Sequence, residues 1–306
     1  MPLTPAQLRS RLGGVIAFPV TPFKKDLTLD LVGLRRNIRQ LAGQQVCAIV
    51  AGAGTGELHS LSTEEHLAVV KATIEEVKGR HPVLAGVGFS PQTAVDMART
   101  CTAAGVDGIL IFPPYYHGDA NDEGFFNYYR NVAAATKRGV LIYSRDHANF
   151  SPAVVARLAT IPNFIAFKDG QGDIRRFLQI ITRVGDRLHW IGGAGDDCVP
   201  AYYSLGVRTY TSSIANVAPR LSYRLHELAS ARTAAADAEL AGIMRELVVP
   251  LYAFRGRKKG YEVSVMKTMM DLTGQVGGFV RPPLNDLAPA EVKEWRTLLK
   301  PWKKWL

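Results

Sequence analysis

The sequence predicts an α/β fold, a (β/α)8 TIM barrel with a C-terminal helical extension, on three observations. Short apolar runs rich in Val, Ile and Phe alternate with longer amphipathic stretches, which is typical of a parallel sheet. The runs are almost continuously apolar, as strands covered on both faces require. Eight such runs precede Pro219, and a barrel of this kind takes about 250 residues. An open doubly wound sheet is the rival, but Thr21-Pro22-Phe23 stands where such a sheet usually carries a glycine-rich turn.

Each apolar run is a predicted strand, and helical segments lie between the runs. The predicted strands cover residues 15–20, 46–51, 83–88, 108–112, 140–143, 164–167, 188–191 and 208–211. Cap residues, acidic first turns and prolines at first helical positions mark the helix starts. These starts lie at Ser62, Pro91, Asp122, Ser151, Asp173 and Asp197.

Beyond Pro219 the pattern is helical only, over residues 221–231, 234–254, 263–272 and 289–299. No flexible linker or change of composition separates this tail from the rest. We therefore expect residues 1–218 to form the barrel that carries the active site, and residues 219–306 to form a helical region packed on it.

Composition limits the classes of partner. The 306 residues are 47% hydrophobic and carry a net charge of +10, which excludes a disordered chain. The basic residues are scattered, so we expect no nucleic-acid partner, whereas positive charge steers small anionic substrates. The three cysteines are far apart and odd in number, so we expect reduced thiols and a cytoplasmic protein. No signal segment is visible and no apolar run approaches the ~20 residues of a membrane helix, so we expect no membrane partner.

Two side chains at neighbouring strand ends suggest covalent chemistry. Lys168 directly follows the sixth apolar run, and Tyr143 ends the fifth. Burial lowers the pKa of a lysine, and a neutral amine forms Schiff bases with carbonyl substrates. The alternatives are a Lys168 that reaches solvent or pairs with Asp169, and a Tyr143 that is a core aromatic.

The loop after the second strand, Gly52-Ala53-Gly54-Thr55-Gly56-Glu57, only partly matches a nucleotide-binding fingerprint. It can instead offer backbone N–H groups and a hydroxyl to a carboxylate, or it is simply a tight connection. The seven histidines show no spacing suited to a metal, so we expect no metal. Schiff-base chemistry on Lys168 would need no organic cofactor either.

The chain resembles the dihydrodipicolinate synthase/N-acetylneuraminate lyase superfamily, (β/α)8 enzymes that bind 2-keto acids as lysine Schiff bases. The resemblance is carried in order by Gly54-Thr55-Gly56-Glu57, Pro114-Tyr115-Tyr116, Tyr143 and Lys168. It implies that Lys168 forms the Schiff base and that Tyr143 transfers protons. It further implies that Gly54 and Thr55 hold the substrate carboxylate and that Tyr116 enters a neighbouring subunit's site. Contacts with substrate hydroxyls are implied for the pair Asp196-Asp197, with Asp197 as the candidate, and for Ser213.

Departures from the synthase pattern narrow the resemblance. Gly54 replaces the first of two threonines, and Ala148 stands where the synthase has an arginine, while Arg145 lies two residues after Tyr143. In this the chain resembles the 5-dehydro-4-deoxyglucarate dehydratases, which dehydrate and decarboxylate a keto sugar diacid to 2,5-dioxopentanoate. Arg145, assisted by Asn149 or Ser144, is then expected to bind the distal carboxylate.

Other interpretations stay open at this point. Arg145 can instead pair with Asp146. The protein can be a Schiff-base aldolase or synthase, a 2-keto-3-deoxy sugar acid dehydratase, or a non-catalytic barrel that binds keto acids. The resemblance also implies a homotetramer built from dimers.

Overall fold

A computed structural model describes residues 1–114 and 121–306, so the prediction for Tyr116 lies outside the described residues. Eight parallel strands close into a barrel in sequence order, and β8 pairs with β1. The strands are β1 Gly14–Ala17, β2 Ala48–Ala51, β3 Val83–Val87, β4 Gly108–Ile111, β5 Gly139–Ser144, β6 Phe164–Asp169, β7 His189–Gly192 and β8 Thr209–Ser212. The predicted TIM barrel is confirmed.

Helices surround the barrel and continue beyond it. They are α1 Pro5–Arg11, α2 Leu31–Leu41, α3 Thr63–Val77, α4 Pro91–Ala104, α5 Asp122–Ala134, α6 Pro152–Leu158, α7 Ile174–Val184, α8 Val199–Ser204, α9 Pro219–Ala231, α10 Ala234–Ile243, α11 Val249–Arg255, α12 Tyr261–Leu272 and α13 Pro289–Leu298. No helix in the described ranges has the length and apolar character needed to cross a bilayer.

The sequence analysis did not predict α1 and α2, the two helices that flank β1. Thr4 and Gln7 form a reciprocal capping box at the start of α1, a signal that was present in the sequence. Leu8 of α1 is fully buried against the side chains inside the barrel. Helix α2, between β1 and β2, begins where the Asp30 carboxylate accepts from the Gly33 amide at 2.9 Å.

The core has two layers. One cluster fills the inside of the barrel, and a larger one lies between the strands and the helices. On β5, Leu141 and Tyr143 belong to the inner cluster and Ile142 to the outer one, as alternation along a strand requires. A register irregularity at Val140/Leu141 precedes the pairing of Tyr143 with Lys168.

The single helix predicted over residues 234–254 is interrupted in the structure by a π-turn, Met244–Val248. Pro250 lies one turn after Glu246 and has no amide hydrogen to give the Glu246 carbonyl, which favours such an irregularity. The π-turn contacts the short turn Asp196–Cys198 beside the barrel mouth. Helix α11 therefore leaves the π-turn close to the carboxyl ends of β7 and β8.

Candidate active site

A cavity of about 330 Å³ opens at the carboxyl ends of the strands, the end at which barrels of this class place their sites. Thr55 lines it after β2, Arg145 after β5 and Ser213 after β8, with Lys168 and Tyr143 from the strands themselves. The volume is near the lower limit of the roughly 300–1,000 Å³ of ligand pockets. The cavity suits a small metabolite better than a nucleotide.

Lys168 lies inside the barrel and is only 3% exposed. Its Nζ donates to the carbonyl of Gly193 at 3.2 Å, and burial lowers its pKa because desolvation disfavours the ammonium form. Asp169, the next residue on the strand, accepts instead from the Tyr202 hydroxyl at 2.7 Å and from the Gly172 amide at 3.1 Å. Lys168 thus neither reaches solvent nor hydrogen-bonds Asp169.

Tyr143 lies beside Lys168 and is equally buried. The Lys168 Nζ is 3.4 Å from the centroid of its ring, and Nη1 of Arg145 donates to its hydroxyl at 3.1 Å. Burial by itself raises the pKa of Tyr143, but the charges of Lys168 and Arg145 outweigh it and the pKa is lowered. The phenol is therefore prepared to give up a proton in an apolar surrounding that includes Phe112, whose ring meets it edge-on at 5.2 Å.

Two glycines let the backbone approach these side chains. A Cβ on Gly170 would lie 2.5 Å from Cε2 of Tyr143, and a Cβ on Gly193 would lie 2.6 Å from Cγ of Lys168. In both cases a backbone carbonyl lies almost as close, at 2.8 Å and 2.7 Å respectively. No side chain fits at either position without moving the reactive pair.

The loop that carries Gly54 and Thr55 is anchored by the buried side chain of Glu57. Glu57 is fully buried with a left-handed φ of 54°, and its Oε1 lies 2.5 Å from Nζ of Lys267 on α12. The amide of Arg281 donates to its other oxygen at 3.1 Å. A buried ion pair between the barrel and the C-terminal region thus sets the position of the predicted carboxylate-binding loop.

The wall beside β7 and β8 brings together side chains that lie far apart in the sequence. Asp196 is fully buried and accepts from the hydroxyls of Ser212 and, at 2.8 Å, Tyr252; burial raises its pKa. Ser213 and Arg255 also line the cavity, and Nη1 of Arg255 donates to Oγ of Ser213 at 3.0 Å.

The other predicted residues are placed as follows. Asp197 and Asn149 are exposed and lie outside the cavity lining. Ser144 donates to the Ala148 carbonyl at 2.9 Å, within its own loop. Arg145, besides contacting Tyr143, has its Nε 3.6 Å from Oδ2 of Asp146, so the pairing with Asp146 that the sequence left open is present.

Sequence reasoning missed Tyr252 and Arg255, because nothing local marks a residue of a distant helix as facing the barrel mouth. Asn216 joins the loop after β8 to the segment that follows β1. Its side chain accepts from the Val20 amide at 3.0 Å and donates to the Phe18 carbonyl at 2.9 Å. In residues 1–114 and 121–306, no three His, Cys, Asp or Glu side chains are grouped as metal ligands.

Comparison with known proteins shows the family of the chain. Residues 11–301 match the model of the Dihydrodipicolinate synthetase family. A probable 5-dehydro-4-deoxyglucarate dehydratase of Bradyrhizobium diazoefficiens is 39% identical over 97% of this chain and 95% of its own. Another probable 5-dehydro-4-deoxyglucarate dehydratase, from Saccharopolyspora erythraea, is 39% identical over 97% and 96%.

Solved structures show the same architecture. The dihydrodipicolinate synthase of Oceanobacillus iheyensis superposes with a TM-score of 0.90 at 29% identity, covering 98% of this chain and 99% of that one. The chloride-inhibited synthase of Acinetobacter baumannii, solved in complex with pyruvate, gives a TM-score of 0.82 at 27% identity over 94% and 98%. On the family match, the two relatives and these structures, the chain belongs to the dihydrodipicolinate synthetase family.

Proposed function

We propose that the protein is a decarboxylating hydro-lyase that converts 5-dehydro-4-deoxyglucarate to 2,5-dioxopentanoate, carbon dioxide and water through a Schiff base on Lys168. The observation that carries the proposal is the buried amine of Lys168 against the phenol of Tyr143 in the cavity. The names of the relatives at 39% identity support the choice of reaction.

The first step is attack of the neutral Lys168 amine on the substrate ketone. Burial favours the neutral form of the amine. Tyr143, next to Nζ, moves the protons that let the carbinolamine lose water and become an iminium. Phe18 and Phe112 line the same cavity and reduce the access of water to the carbon under attack.

The iminium makes the protons on the neighbouring carbon acidic. Removal of one gives an enamine, whose electron pair expels the hydroxyl group one carbon further along as water, after protonation. The product is an iminium conjugated with a carbon–carbon double bond. We assign the first proton to Tyr143 in its phenolate form, which the lowered pKa of Tyr143 favours.

The conjugated iminium then accepts the electrons of decarboxylation. The bond between the distal carboxylate and its carbon breaks, and the electron pair moves through the double bonds to the Lys168 nitrogen. Two carbons are reprotonated, the resulting enol becomes the aldehyde, and hydrolysis frees Lys168. The six-carbon diacid loses one carbon dioxide and one water, which balances the reaction without an oxidant or reductant.

The two carboxylates need separate contacts. We propose that the Thr55 hydroxyl and the backbone at Gly54 hold the carboxylate beside the ketone, and that Arg145 attracts the distal one. Ser213 lines the same cavity and is assigned a substrate hydroxyl. Asn149 and Asp197 lie outside the lining, so their proposed contacts require movement of their loops.

The proposal includes a homotetramer built from dimers, in which Tyr116 enters the neighbouring subunit's site, and a cytoplasmic location. Free thiols support the location: Cys47, Cys101 and Cys198 are all unpaired, as is usual in a reducing compartment. Mass measurement in solution tests the assembly, and loss of turnover in Tyr116→Phe tests the role of its hydroxyl in the site.

A turnover assay tests the reaction. Purified protein with 5-dehydro-4-deoxyglucarate is expected to release carbon dioxide and 2,5-dioxopentanoate in equal amounts. Lys168→Ala should lose essentially all turnover, and Lys137→Ala, which changes an exposed lysine, should retain it. Dehydration without release of carbon dioxide would support a sugar acid dehydratase. Carbon–carbon bond formation that depends on an aldehyde would support an aldolase. Saturable binding without turnover would support a non-catalytic barrel.

A further inference from the structure

A second guanidinium faces the cavity from a wall other than that of Arg145. Arg255, the last residue of α11, lines the cavity, donates through Nη1 to Ser213 and has its Cζ 4.5 Å from the ring centroid of Tyr252. Arg257, two residues later, differs: both its Nη atoms donate to the Glu294 carboxylate, at 2.7 and 2.8 Å. Arg255 forms no such ion pair with any carboxylate in the described ranges, so its charge is available to a ligand.

The two carboxylates of the turn Asp196–Cys198 are occupied or turned away from Arg255. Both carboxylate oxygens of Asp196 accept hydrogen bonds, one from the Ser212 hydroxyl and one from the Tyr252 hydroxyl. The charge of Arg255 favours the ionised form of Asp197, but the Asp197 side chain is exposed and lies outside the cavity lining. The Arg255 guanidinium is therefore held by a hydroxyl and an aromatic ring, an arrangement that orients it without neutralising it.

The residues that orient Arg255, around Tyr252 and Asp196, are closely packed. Besides donating to Asp196, the Tyr252 hydroxyl accepts from the Asp196 amide at 2.7 Å. A Cβ on Gly195 would lie 2.6 Å from Cε1 of Tyr252, so only glycine lets the ring approach the chain there. Since Arg255 stacks on this fixed ring, its side chain starts from a defined position.

We propose that Arg255, together with Arg145, binds the distal carboxylate of the substrate and so contributes to the preference for diacids over monoacids. The inference rests on the proposed Schiff-base function. The carboxylate beside the ketone stays near Lys168, so the far end of a six-carbon diacid extends toward the mouth, where Arg145 and Arg255 stand on separate walls. A keto acid without the second carboxylate offers Arg255 nothing to pair with.

Borohydride trapping with two matched probes tests this role. 2-Oxoadipate and 2-oxohexanoate have the same carbon number and differ only in the distal carboxylate. In Arg255→Gln, the 2-oxoadipate concentration that gives half-maximal Lys168 adduct should rise by about tenfold or more, the size expected for one charged hydrogen bond. The value for 2-oxohexanoate should stay unchanged, and Arg257→Gln should alter neither probe.

The outcomes separate this inference from the proposed function. Equal effects of Arg255→Gln on both probes, or none on either, would overturn the role of Arg255. Absence of any adduct in the unmodified protein would overturn the Schiff-base function and the inference with it. A selective loss with 2-oxoadipate, in a protein that releases no carbon dioxide from 5-dehydro-4-deoxyglucarate, would support Arg255 and overturn only the proposed reaction.

Discussion

Tyr143 and Lys168 are register partners on the adjacent strands β5 and β6, and the lysine Nζ lies 3.4 Å from the centroid of the phenol ring. Both side chains are 3% exposed, so little water screens one from the other. The protonation state of each therefore depends on the other. This coupling is the basis of the predictions on proton transfer.

Adduct formation should depend on pH through Lys168. Only the neutral amine attacks a ketone, and burial lowers the Lys168 pKa below the ordinary 10.5, so the neutral fraction at a given pH is larger than for a free lysine. The initial rate of adduct formation with 2-oxoadipate, measured by quenching timed samples with borohydride, should rise with pH and level off. Its midpoint is expected below 10.5, and a midpoint at or above that value would argue against a desolvated amine.

Tyr143→Phe should separate iminium formation from proton transfer. The variant keeps Lys168 and the apolar ring, so it should still be trapped by borohydride with 2-oxoadipate, although more slowly. Exchange of the protons next to the ketone with deuterated water, followed by NMR, should fall by about 10²–10⁴-fold, the usual effect of a positioned acid–base group. Exchange at the unmodified rate would remove Tyr143 from the proton transfer.

Gly170→Ala and Gly193→Ala should impair catalysis through crowding. The added Cβ meets Tyr143 or Lys168 as well as a backbone carbonyl within 2.8 Å, and overpacking of this kind destabilises by about 1–3 kcal/mol. Adduct rates should fall and urea midpoints should drop. Gly242→Ala is the control, because nothing lies within 4 Å of its Cβ, and in helix α10 it should be neutral or stabilising by up to about 1 kcal/mol. Normal adduct rates in both crowded variants would show that the reactive pair tolerates displacement.

Lys267→Met should be strongly destabilising, since it leaves the buried Glu57 carboxylate without its cation. Losing one partner of a buried ion pair costs about 3–5 kcal/mol, and urea unfolding measures it. The double variant Glu57→Gln with Lys267→Met should recover part of the loss. Arg224→Gln, which breaks an exposed pair with Glu239, should cost at most about 1 kcal/mol. A similarly small loss in Lys267→Met would mean that the pair does not hold the Gly54–Thr55 loop.

The placement of Lys168 and Tyr143 was predictable, because strands of a parallel barrel end at one level and side chains alternate along each strand. The sequence could not show which of Asp196 and Asp197 faces the interior, because a short turn after Gly195 buries the Asp196 carboxylate and exposes that of Asp197. Tyr252 and Arg255 reach the cavity only because the π-turn Met244–Val248 precedes α11 near the barrel mouth. Such tertiary placements leave no periodic signal in the local sequence.

The most direct test of a reactive Lys168 is the mass of its peptide after borohydride reduction in the presence of 5-dehydro-4-deoxyglucarate. The account predicts a substrate-derived adduct on the peptide that contains Lys168, at one per chain on full reaction, and none in Lys168→Ala. An unmodified Lys168 peptide from protein that turns the substrate over, or an adduct on another lysine alone, would contradict it.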